Sequence, residues 1–168
     1  HLVRCFESDK ITHVSSKIDP VEDLETIKTE IILSDIDVIQ KKLDKGKKKL
    51  LDDKEIEILE DKLEKLNQGL EIKTDNKEDN KFLSNLGLLS IKPKIIVCNV
   101  DEESFAKGNI FTESVKNKHT NEKVVTICAD IEDQIMGLDI NERETFMQEI
   151  GLNKTGLNQL IKEGYDLL

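Results

Sequence analysis

Residues 93–102 read Pro93-Lys94-Ile95-Ile96-Val97-Cys98-Asn99-Val100-Asp101-Glu102. A continuous apolar run, mostly β-branched, follows a proline and closes on a polar turn. With no alternation between apolar and polar positions, it reads as a strand buried on both faces, the kind found in parallel sheets. Val124-Val125-Thr126-Ile127-Cys128 has the same character, and residues 1–6, with Leu2-Val3 and Cys5-Phe6, read as a third buried strand. Helical patterns follow the strands over residues 111–119, 130–136, 141–150 and 155–168, and Gly151 suits the cap that ends the middle one of the last three. Strands alternating with helices predict an α/β fold with a parallel sheet.

The connection between the first two strands is much longer than one crossover helix. Residues 7–20 are polar, and Asp19-Pro20 marks a turn and a helix start. From Val21 the apolar positions are Leu24, Ile27 and Ile31, then Ile32, Ile36, Ile39 and Leu43, the last four spaced four, three and four apart. That spacing is a coiled-coil-like seam. It breaks at Asp44-Lys45-Gly46 and resumes as Ile56, Leu59, Leu63, Leu66 and Leu70. Two seams joined by a polar, glycine-containing break predict an antiparallel helical hairpin inserted into the α/β domain. The narrow second seam favours an arm that projects over one lying flat on the core. Such an arm buries apolar area only between its two helices, so its tip is expected to be more mobile than the sheet. Residues 71–81 read as a loose connector and 82–89 as a short helix ending near Gly87. The expected division is residues 1–20 and 82–168 for the α/β part and 21–81 for the hairpin and connector.

Composition narrows the functional classes. The 168 residues are 37% hydrophobic and 36% charged, enough apolar material for one core. Aromatics are 4% and Trp is absent, so that core is built mainly from Ile, Leu and Val. A net charge of −10 disfavours general nucleic-acid binding, which needs Lys and Arg against phosphates. The local exception is Lys45-Gly46-Lys47-Lys48-Lys49. It is either a solvated turn, the simpler reading, or an RNA contact through Lys45, Lys47, Lys48 and Lys49. Cys5, Cys98 and Cys128 lie in apolar runs without metal-ligand spacing, and read as buried thiols in a reducing, cytoplasmic compartment. His13 and His119 have no nucleophile beside them in the sequence. Asn153-Lys154-Thr155 matches a glycosylation sequon by chance. No apolar stretch reaches membrane-spanning length, so no membrane partner is expected. Both ends are apolar and read as cuts through a larger protein.

In open α/β sheets ligands bind beyond the carboxyl ends of the strands. Two strands here end in Asn99-Val100-Asp101-Glu102 and Cys128-Ala129-Asp130-Ile131-Glu132. The Asn99 amide can brace its loop and hydrogen-bond a purine edge. A carboxylate three residues on can accept from a base, and Cys128 or Ala129 can supply a backbone N–H. On spacing alone, carboxylates after strands are more simply helix N-caps, and both readings stand at this level.

Several separated segments then bear on the choice. They are Leu2-Val3-Arg4-Cys5-Phe6-Glu7, Ile11-Thr12-His13-Val14, Lys17-Ile18-Asp19-Pro20, Asp23-Leu24-Glu25-Thr26-Ile27, Lys92-Pro93 and Asn99-Val100-Asp101-Glu102. Gly151-Leu152, Thr155-Gly156-Leu157 and Gly164-Tyr165-Asp166-Leu167-Leu168 follow in order. Together they resemble the YchF family, relatives of the Obg-like ATPases, over nearly the whole chain and most weakly in the hairpin. The resemblance implies part of a P-loop NTPase G domain interrupted by a helical hairpin and followed, in the family, by a TGS domain. It implies binding and hydrolysis of ATP, GTP or both, and association with ribosomes. GTPases read guanine with Asn-Lys-x-Asp, whereas Val100 stands at the Lys position and Glu102 at the Asp position. The Asp normally takes two hydrogen bonds from guanine N1 and N2, and a Glu, one methylene longer, cannot keep that geometry without backbone movement. The resemblance therefore implies relaxed guanine specificity, with ATP at least as acceptable as GTP. Val100 would cover the base with its side chain and offer its carbonyl to adenine's amino group. The implied base-binding set is Asn99, Val100, Glu102, Cys128 and Ala129.

The sequence contains no G-x-x-x-x-G-K-[ST] phosphate loop. Gly151 to Gly156 has the glycine spacing, but Leu157 stands where Lys is required. The expectation is that phosphate and Mg²⁺ are bound by residues outside this chain. No catalytic or metal-binding residue is then expected within it. A sheet without its leading strands exposes an edge that invites self-association. The alternative function is a non-enzymatic module whose hairpin binds a protein or RNA partner.

Overall fold

In the computed structural model, which describes residues 1–8, 17–46, 51–73 and 76–167, the three expected strands pair in parallel. They are β1 (Leu2–Arg4), β2 (Ile95–Asn99) and β3 (Lys123–Ile127), in the order β1-β2-β3. β2 is central, with Val97 opposite Leu2 on one side and Val125 on the other. Ile96, Val97 and Cys98 are all buried, as an unalternating apolar run requires. β3 differs from expectation. As an edge strand of this sheet it buries only Val125 of its five residues.

The chain divides into two compact units, residues 1–24 with 93–168, and residues 25–92. The first unit holds the sheet and five helices among its described residues. α4 (Glu102–Phe105) and α5 (Ile110–Lys118) follow β2, and α6 (Ala129–Gly137), α7 (Ile140–Glu149) and α8 (Gly156–Leu167) follow β3. Asn109 starts α5 by accepting from the N–H groups of Phe111 and Thr112, while its Nδ2 donates to the Cys5 carbonyl at 2.6 Å. One side chain thus caps a helix and ties it to the end of β1. α8 packs on β3. Gly156 permits this close approach, because a Cβ there would lie 3.0 Å from both the Thr126 carbonyl oxygen and Ile127 Cγ2. Gly151 (φ +71°) follows the end of α7 in the left-handed conformation that favours glycine, as the sequence suggested.

Residues 25–92 carry most of α1 (Pro20–Gly46), with α2 (Asp53–Asn67) and α3 (Lys77–Asn85). Asp19 accepts from the Glu22 N–H at 3.1 Å and Pro20 opens α1, which is the start signal read from sequence. A reciprocal capping box between Asp52 and Glu55 starts α2. Leu66, Asn67 and Gly69, at the end of α2, share a groove with residues 25–36 of α1. The two helices are therefore antiparallel.

The seams are not closed by those two helices alone. Ile32, Ile39 and Leu43 of α1 and Leu59 and Leu66 of α2 form one buried cluster with Ile72, Leu83 and Leu88. Residues 71–81 are therefore not a loose connector. Ile72 is 2% exposed, and Asn76 caps α3, which starts at Lys77 and ends at Asn85 instead of spanning 82–89. Leu70 falls out of the seam and is exposed, since Gly69 (φ +73°) has already ended the helix. Asp35 stands inside the apolar stripe at 1% exposure. Its carboxylate accepts from the Leu89 and Ser90 N–H groups, both at 2.8 Å, and from the Ser90 hydroxyl. Three donors offset the cost of burying the charge. These contacts place residues 82–92 with the helical unit, and the boundary falls after Lys92 instead of after 81. Lys45 is exposed at the end of α1, whereas Lys47, Lys48, Lys49 and His13 lie outside the described residues.

Candidate functional site

The carboxyl ends of β2 and β3 meet at Asn99. Its carbonyl accepts from the Cys5 N–H at 2.7 Å, and the next N–H, that of Val100, donates to the Ile127 carbonyl at 2.9 Å. The chain on each side thus fixes the Asn99 backbone. The Asn99 Oδ1 accepts from the Ala129 N–H at 3.0 Å, across 30 residues of sequence. This bond joins the loop after β2 to the loop after β3. With Oδ1 so engaged, the half-buried amide presents its Nδ2 as a donor.

The acidic segment divides between a helix cap and a contact to a second helix. Asp101 is the cap: its carboxylate accepts from the Ser104 N–H at 2.8 Å and starts α4, a turn that the sequence had not revealed. Glu102 is not used in this way. It is exposed, and its Oε1 accepts from Gln134 Nε2 of α6 at 2.8 Å. Nothing in the local sequence singles out Gln134. Glu102, Phe105, Ile131, Gln134, Phe146 and Leu152 help to line a cavity of about 320 Å³ beside these loops.

Two implied roles need correction. Val100 is 2% exposed, so its side chain belongs to the core and does not cover a ligand. Its N–H extends the β2–β3 ladder by one residue, and that pairing turns the side chain inward. The Ala129 N–H is engaged by Asn99, so Ala129 holds the site together instead of donating to a ligand. Cys128 is fully buried, and burial pushes its thiol up, so it stays a neutral side chain and only its backbone lies near the site. The Cys5 thiol is likewise pushed up, by its hydrogen bond with Cys98 and by burial. All three cysteines are free and buried.

Charge decides what this end of the sheet can accept. Asp101, Glu102, Glu103, Asp130, Glu132 and Asp133 crowd the two segments, and residues 99–106 and 128–137 contain no Lys or Arg. Glu132 is partly committed, accepting from the Leu157 N–H at the start of α8 at 3.1 Å. Such a surface repels phosphate but tolerates a neutral ring with donors on its edge. Among the described residues no group of three or more His, Cys, Asp or Glu side chains is placed to hold a metal ion. No described helix is long and apolar enough to cross a membrane.

The surroundings of this site have counterparts in known proteins. The ribosome-binding ATPase YchF of Escherichia coli O157:H7 is 39% identical over 177 residues, covering all of this chain and 48% of that protein. The protein of the same name from Bacillus subtilis (strain 168) is 36% identical over 179 residues, covering all of this chain and 49% of that protein. Over its whole length the chain is similar to proteins of the YchF kind. The solved structure of the Schizosaccharomyces pombe YchF GTPase superimposes with a TM-score of 0.82 at 20% identity, over 99% of this chain and 49% of that one. The chain therefore shares the fold of about half of that structure, a three-stranded parallel sheet flanked by helices. No family model matches the chain. The chain spans about half the length of the curated YchF relatives it matches.

Proposed function

We propose that this chain supplies the base-recognition part of a nucleotide site in a ribosome-associated YchF-type NTPase. The observation that carries the reading is the Asn99–Ala129 hydrogen bond, which links the two loops at the carboxyl ends of adjacent parallel strands. Asn99 Nδ2 then donates to a purine ring nitrogen. The Val100 carbonyl accepts from an exocyclic amino group, and Glu102 lies at the base edge. Cys128 contributes backbone only. The acidic loops suit a neutral base and not its phosphates, so phosphate and Mg²⁺ are assigned to residues outside these 168. ATP and GTP both remain substrates in this reading: the curated relatives are named ATPases, and the fission-yeast structure a GTPase.

Titration of the chain with ATP and with GTP, followed by NMR, tests the proposal. Without phosphate contacts the binding is expected to be weak, with shifts centred on the Asn99 side chain and the Ala129 amide. Asn99→Ala removes a bond to the base and the bond between the loops, and should weaken binding by roughly tenfold. Wild-type affinity in Asn99→Ala, or nucleotide hydrolysis by the chain alone, overturns the assignment.

A further inference from the structure

The structure assigns to Gln134 a role in choosing the base: it engages the Glu102 carboxylate and so disfavours guanine. The inference rests on the base-binding reading above and goes further, to a specificity-determining residue on a different helix.

Guanine presents two adjacent donors, N1–H and the N2 amino group. A carboxylate selects guanine by accepting both, one on each oxygen, in one plane. Adenine presents no such pair, since its N1 is an acceptor. Glu102 is the one carboxylate of the Asn99–Glu102 loop left for this work, because Asp101 is committed to the Ser104 N–H. Yet the Glu102 Oε1 already accepts from Gln134 Nε2 at 2.8 Å. Both side chains line the 320 Å³ cavity together with Phe105 and Ile131, so the carboxylate is held on the cavity side by a partner one helix away. To meet guanine in the two-bond arrangement, Glu102 needs the backbone to shift and its carboxylate to reorient, and the charge-assisted bond from Gln134 opposes that reorientation. To accommodate adenine it need not move. The remaining contacts proposed for the base, Asn99 Nδ2 and the Val100 carbonyl, require neither Glu102 nor Gln134.

Gln134 is exposed on the surface of α6, whereas the buried face of that helix is formed by Ile131 and Ile135. Its replacement therefore leaves the helix packing intact. That separates a role in base choice from a role in folding. Gln134 acts through Glu102, so the variant is expected to shift the balance between bases and not binding as a whole.

The test uses adenosine and guanosine as probes, because they carry the bases without phosphates, with chemical shifts followed in the chain. In the wild type, adenosine is expected to bind at least as well as guanosine. Gln134→Leu keeps the side-chain bulk but removes the donor, and should move the adenosine-to-guanosine affinity ratio toward guanosine by roughly three- to tenfold, the worth of one net hydrogen bond. Gln134→Asn, one methylene too short to reach Glu102 from the same backbone, should shift the ratio in the same direction as Gln134→Leu. An unchanged ratio in Gln134→Leu, with nucleoside still binding at Asn99, overturns the role of Gln134 and leaves the base site standing. If neither nucleoside perturbs Asn99 or Ala129 in the wild type, the base site fails and this inference fails with it.

Discussion

The sheet unit and the helical unit solve the same packing problem with different contacts. In the helical unit, antiparallel α1 and α2 interlock Ile and Leu side chains and close the cluster with Ile72, Leu83 and Leu88. Among its described residues the deeply buried carboxylate is Asp35, which is spent on backbone N–H groups and a hydroxyl of the same unit, so it has no chemistry to offer a ligand. In the sheet unit, parallel pairing brings together strand ends that are far apart in sequence, with Val3 opposite Cys98 and Asn99 opposite Ile127. Each strand end delivers polar backbone and side-chain groups to the same edge. There Ala129 donates to Asn99 and Gln134 donates to Glu102, across 30 and 32 residues of sequence. Cohesion in the helical unit comes from interlocked side chains, whereas the parallel strands of the sheet unit bring polar groups from distant segments to one edge.

The largest perturbation expected to separate the units is in the helical core. Leu59 is fully buried, and Leu59→Ala should cost roughly 2–5 kcal/mol through lost burial and the cavity left behind. Hydrogen exchange should quicken across residues 25–92 while amides of β2 keep their protection. Equal loss of protection in both units would show that they unfold as one.

Gly156→Ala probes the other unit and should cost about 1–3 kcal/mol, because the added Cβ meets the β3 backbone. Thermal unfolding should shift downward and α8 should lose protection first. An unchanged midpoint would mean that α8 has room to move off β3.

A smaller effect is expected at Asn109. Asn109→Ala removes the cap of α5 and the donor to Cys5, with an expected loss of about 0.5–2 kcal/mol in urea denaturation. It should leave nucleotide titration nearly unchanged, since Asn109 braces β1 and α5 and contacts no part of the proposed base site.

What was legible in sequence follows the range of the contacts. The seams of α1 and α2 declare themselves because helix packing repeats every three or four residues, and Ile32, Ile39, Leu43, Leu59 and Leu66 are indeed buried. Ile72 gave no such signal: it is a lone apolar residue in a polar stretch, and only the folded cluster explains it. The burial of Asp35 leaves no local trace either, because its partners lie 54 and 55 residues away. The same holds at the site. Asn99 could be found because it ends a recognisable strand. The pairing that turns Val100 inward, and the bond from Gln134 to Glu102 across 32 residues, depend on register and helix placement that no local pattern records.

The central claim is that a purine base docks at the Asn99 loop and not on the helical unit. Photoaffinity labelling of the chain with 8-azidoadenosine, with labelled peptides mapped by mass spectrometry, tests it most directly. Modification is expected within residues 99–106 or 128–137, suppressed by excess adenosine and reduced in Asn99→Ala. Label confined to residues 25–92, or spread evenly over both units, would contradict it.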